Sequence, residues 1–160
     1  MRRRNLIFIF GVSAVPAFTA HAQSGSSDFR EIALSQIPED AGIAEEMAKQ
    51  ETKDYLFIPP IFRYRIAVEA TGRIAALNPD ESDTLKKWGV FVGRPDFVSL
   101  FENKVEIQTT QGSLWLFWQK ALLQPFRDEL NQGGKMTVNT VLVGARHRQP
   151  LLVAIGFRSS

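Results

Sequence analysis

The sequence predicts an α+β fold: a small β-barrel with one helix before its last hairpin, preceded by an N-terminal helical segment. Three observations carry that expectation. Phe62, Tyr64, Ile66 and Val68 alternate with Arg63, Arg65, Ala67 and Glu69, the period-two signature of a strand buried on one face. In Lys120–Leu130, Leu122, Leu123, Phe126 and Leu130 share one helical face while Gln119, Arg127 and Glu129 lie elsewhere. Two strand-like runs, 135–143 and 150–157, then close the chain, joined by Gly144-Ala145-Arg146-His147-Arg148-Gln149.

The first 22 residues are set apart from the fold. Arg2, Arg3 and Arg4 precede an apolar stretch from Leu6 to Val15, Pro16 breaks it, and Ala20-His21-Ala22 follows. That order of charge, apolar run and small residues is a secretory signal peptide with cleavage expected between Ala22 and Gln23. The apolar run is about ten residues, short of the roughly 20 needed to span a bilayer. The expected destination is the bacterial periplasm or the medium. Arg3-Arg4-Asn5-Leu6-Ile7 also leaves twin-arginine export open.

Beyond the leader, residues 23–58 form a polar tether and an acidic helical lead segment, and residues 59–160 form the barrel-like domain. Gln23 to Ser27 is rich in Gly and Ser. A helix is expected from about Glu39, with Pro38 in its first turn and Glu39 and Asp40 favourably placed at its positive end. Ile43 and Met47 give it a thin apolar face, so it leans on the body. Pro59-Pro60 enforces an extended entry into the first strand.

Within the body, Asn78-Pro79-Asp80 marks a turn, and Trp88 to Val92 is a short apolar run ended by Gly93-Arg94-Pro95. Residues 104–109 alternate again with Val105 and Ile107 inward, and Gln111-Gly112 turns the chain into a strand at 114–118. Pro125 falls inside the amphipathic helix and kinks it or sits near its first turn, and Asn131-Gln132-Gly133-Gly134 stops it. The order of strands, one helix and a final hairpin resembles an OB-type five-stranded barrel.

Composition excludes several chemistries. The chain has no cysteine, so disulfides, thiol catalysis and thiolate metal sites are out. The leader carries three of the 19 basic residues and no acid, which leaves 16 bases against 17 acids in the mature chain. A net charge of −1 gives no bulk attraction to nucleic acid, so no nucleic-acid partner is expected. The charge is divided: 28–54 holds eight acids against three bases, and 55–160 nine acids against 13 bases. An acidic lead segment beside a basic body can screen it.

No catalytic residue and no metal or other cofactor is expected. His147 is the one histidine of the mature chain, lies between Arg146 and Arg148, and has no Gly-x-Ser-x-Gly nucleophile context to serve. Asp80-Glu81-Ser82-Asp83 lacks calcium-loop spacing. Glu69 and Glu106 are the two carboxylates a glycosidase-like cleft would draw on, with Arg63, Arg65 or Lys104 as their expected partners.

Binding is better supported. Trp115 and Phe117 occupy the strand face opposite Leu114, Leu116 and Trp118, so one set points away from the barrel interior unless a helix covers both. Arg63 and Arg65 alternate outward, and Arg146, His147 and Arg148 tip the last hairpin. The expected site is therefore Arg63, Arg65, Trp115, Arg146, His147 and Arg148, and the expected function a non-catalytic exported binding or interaction module. Its partner would be an anionic ligand or an envelope protein with an acidic surface, with no transmembrane anchor in the mature chain. The alternatives are a small cell-envelope hydrolase using exposed carboxylates, and an inhibitor or accessory subunit of an envelope machine.

Overall fold

The computed structural model describes residues 29–51, 55–110, 112–130 and 134–159. The leader, its cleavage position and the Gly/Ser tether lie outside the described residues. Among the described residues, seven strands and four α-helices follow in chain order: β1 (Arg30–Glu31), α1 (Ile37–Asp40), α2 (Ala44–Ala48), β2 (Tyr55–Phe57), β3 (Arg63–Ala76), α3 (Pro79–Phe91), β4 (Phe101–Thr109), β5 (Gly112–Gln119), α4 (Lys120–Leu130), β6 (Lys135–Arg146) and β7 (Gln149–Ser159).

Five of the strands close into a barrel in the order β3–β4–β5–β7–β6 and back to β3. The β5–β7 pair is parallel and the other four are antiparallel, which is the OB-like order the sequence suggested. Closure depends on β3. Its first half, 63–69, pairs with β6; its second half pairs with β4 through Ile74, Ala75 and Ala76. The irregularity between Ala70 and Ile74 lets one long strand serve both neighbours. The alternation visible in the sequence ends at Ala70, so the strand runs six residues further than its pattern shows.

The barrel is plugged at both ends. At one end, α4 seats Leu122 and Phe126 among Trp118, Met136 and Ile107. At the other, the lead segment contributes Ile37, Ala41, Ile43 and Met47 to the same apolar core, with Ile37 fully buried. The lead segment is thus part of the core and no detached arm. Instead of one helix from Glu39 it forms α1 and α2, because Gly42 between them adopts φ +69°, which ends a right-handed helix.

A second departure matters more for function. The residues expected to form a turn and a short apolar run are one helix, α3. Asn78 caps it: its side chain accepts from the Glu81 N–H at 2.8 Å, Glu81 reaches back to the Asn78 N–H at 2.9 Å, and Pro79 takes the first turn. Leu85 and Trp88 then pack on the outer barrel wall with Phe97, Phe101, Phe117, Val141, Val143 and Val153, a second apolar cluster separate from the barrel interior. The Trp88 indole N–H donates to the Ile58 carbonyl at 2.9 Å and fixes the helix to the segment after β2. Among the described residues no helix is long and apolar enough to cross a membrane.

Candidate functional site

Alternation along β4 and β5 sends Val105, Ile107, Leu116 and Trp118 into the barrel and Lys104, Glu106, Trp115 and Phe117 outward. Glu106 lies directly opposite Trp115, and Lys104 opposite Phe117. The sequence left open which aromatic set a helix covers. The structure divides the outward pair: Phe117 is 5% exposed in the cluster under α3, while Trp115 is only partly buried.

Around Trp115 the outer wall is polar and interlocked. Gly72, at φ +85°, turns β3 so that Thr71 and Arg73 both reach Glu106. The Thr71 hydroxyl donates to Glu106 Oε2 at 2.9 Å, and Arg73 Nη1 donates to Oε1 at 2.9 Å and Oε2 at 3.2 Å. The Glu106 side chain is 7% exposed, yet it stays charged: the Thr71 hydroxyl holds its carboxyl below the usual glutamate value, with Ser113 and Arg73 adding to this and burial opposing it. The Arg73 guanidinium carbon lies 5.4 Å from the Trp115 ring centroid, and Lys104 Nζ lies 5.0 Å from it. Lys104 is anchored in turn to Glu81 in the first turn of α3. A partly exposed indole with two cations against it offers stacking area and charge to an anionic or sugar-like ligand.

The other expected site residues are dispersed and already engaged. Arg63 sits 5.9 Å from the Phe29 ring centroid. Arg65 donates to Glu31 and to Asn139, both at 3.3 Å. Arg146 is bracketed between β6 and α3, paired with Asp80, donating to Thr84 and lying 4.7 Å from the Tyr55 ring centroid. Arg148 donates through its backbone N–H and Nε to Gln50 of the lead segment. His147 is exposed, and it and Arg148 form a tight turn with φ of 52° and 60°. The cations against Trp115 are instead Arg73 and Lys104.

Arg73 and Lys104 are the residues that sequence reasoning missed as parts of the site. Glu106 was expected to pair with Arg63, Arg65 or Lys104; its partner is Arg73. Arg73 follows Thr71-Gly72, where alternation stops, so no pattern placed it on the same face as Glu106. Glu69 is exposed and stands opposite Gln108 and Lys135, without a second carboxylate beside it in register.

Elsewhere, a cleft of about 290 Å³ lies between α4 and the end of β7, lined by Leu122, Pro125, Phe157 and Glu129 among others. The Glu129 carboxylate in it accepts from the Ser159 hydroxyl. Among the described residues no three of His, Cys, Asp and Glu stand together as metal ligands. No protein-family model, curated protein or solved structure matches the chain.

Proposed function

We propose that this chain is a non-catalytic binding module, exported from the bacterial cytoplasm by its N-terminal leader, that holds an anionic ligand on the outer wall of its barrel. The observation that carries this reading is the Trp115 indole, partly exposed with Arg73 and Lys104 at 5.4 and 5.0 Å from its centroid. The β4–β5 wall is also where OB-type barrels take oligosaccharides and oligonucleotides. Charge argues against the nucleic acid, since a phosphate backbone needs a row of cations and the mature chain is slightly acidic, whereas one anionic group needs a single open guanidinium edge. The two-carboxylate hydrolase reading is weaker, because Glu106 is held charged and could act only as nucleophile or base, and Glu69, the other candidate, stands opposite Gln108 and Lys135 and not opposite Glu106.

Tryptophan fluorescence tests it. Trp88 and Trp118 are fully buried, so a ligand on this wall changes the emission of Trp115 alone. Titration of the mature protein with carboxylated and sulfated oligosaccharides should give a saturable change that weakens with added salt and is absent in Trp115→Phe. A flat titration with every anion, or an unchanged response in Trp115→Phe, would sink the proposal. Recovery of the chain from the periplasmic fraction, starting at Gln23, tests the export.

A further inference from the structure

The guanidinium of Arg73 is only half used. Its side chain is 69% exposed, and both bonds to Glu106 come from Nη1. Among the described residues, Nε and Nη2 bond to nothing. That Nε–Nη2 edge is the flat pair of parallel donors that matches a carboxylate. The buried Glu106 fixes the other end of the group, so the open edge is preorganised beside the Trp115 ring.

What surrounds this edge decides the rest of the ligand. Thr71, Gln108 and Ser113 are all exposed; the Thr71 and Ser113 hydroxyls bond Glu106, which leaves their oxygens as acceptors, and Gln108 and Ser113 face each other across β4 and β5. No aliphatic side chain is exposed among them. A peptide partner would need apolar contacts at the centre of its interface. A saccharide needs an aromatic ring for its apolar face and many small polar groups for its hydroxyls, and this wall offers both.

We infer that the Trp115 wall is a subsite for a saccharide unit bearing a carboxylate, a uronic-acid type of sugar. The ring lies against Trp115, the carboxylate takes the Nε–Nη2 edge of Arg73, and Thr71, Gln108 and Ser113 meet the hydroxyls. This rests on the binding function proposed above and names the ligand class for it.

The experiment uses tri-galacturonate, its fully methyl-esterified form, an acidic peptide of equal charge and inorganic sulfate, each titrated against Trp115 fluorescence of the mature protein. Tri-galacturonate should bind, with the ester weaker by about tenfold or more, as loss of a charged hydrogen-bond pair entails. Arg73→Lys, which keeps the charge and removes the flat edge, should shrink the acid-to-ester affinity ratio from about tenfold toward one. If the ester binds as tightly as the acid, or if Arg73→Lys weakens both equally, the carboxylate subsite is wrong while the binding function stands. Equal binding of the acidic peptide or sulfate overturns the saccharide class in the same way. If none of the four probes changes Trp115 emission, both the subsite and the binding function fall.

Discussion

The Tyr64 hydroxyl donates a 2.8 Å hydrogen bond to Asp40 Oδ2, joining the first barrel strand to the lead segment. Asp40 also pairs with Arg30, so the bond ends on a carboxylate already held in place. Tyr64 is 1% exposed, and losing this partner strands little on the Asp40 side but removes the tie. Tyr64→Phe should lower stability by about 1–3 kcal/mol in urea denaturation.

The same residue gives the fold an alkaline limit. Burial, then the bond to Asp40, raises the phenol above its ordinary value of 10.0. With the folded-state value raised, the contribution is fully present below pH 10 and is lost as pH climbs above it, because the unfolded chain releases the proton first. Stability of the native sequence should therefore fall above pH 10 with a steeper slope than that of Tyr64→Phe. Parallel slopes would contradict this.

Glu106 sets the opposite limit. Its carboxyl lies below the usual value of 4.5, so its contribution is present above that pH and is lost as pH falls further. Glu106→Gln should flatten the acid side of the stability profile below pH 4.5 and leave the alkaline side unchanged. An unaltered acid slope would mean that Thr71, Ser113 and Arg73 do not hold the charge in solution.

Local pattern placed the barrel well and the site poorly, for one physical reason. Strand alternation and the apolar stripe of 120–130 are recorded in neighbouring residues, and they located β3, β4, β5, α4 and the final hairpin. The site depends on residues that meet only through folding. Arg73 and Glu106 are far apart in sequence and approach because β3 bends at Gly72. The missed helix has the same lesson in milder form. Asn78-Pro79-Asp80-Glu81 holds a complete capping box, but the same residue types serve a turn, and only the burial of Leu85 and Trp88 decides between them.

That helix should therefore behave as a cover. Leu85 and Trp88 are fully buried against the outer wall. Trp88→Ala should cost about 3–5 kcal/mol and expose Phe117, measured as dye binding to newly accessible apolar surface in a chain that keeps its β-type circular dichroism. Asn78→Ala, which removes only the cap, should cost about 1 kcal/mol and leave the apolar surface closed.

Pro125 provides a test with the opposite sign. It lies inside α4, where a proline has no N–H for the carbonyl four residues back, that of Ala121, and its ring crowds that carbonyl. In a helix interior this costs about 3 kcal/mol relative to alanine. Ala121 and Pro125 both lie on the exposed side of α4, while Leu122 and Phe126 on the other side fill the barrel end at 5% and 0% exposure. Pro125→Ala should restore the missing bond without moving those two side chains, and stability should rise by up to about 3 kcal/mol. A higher urea midpoint at unchanged slope is the expected result. A lower midpoint would show that the proline helps aim Leu122 and Phe126 into the core, making it part of the plug.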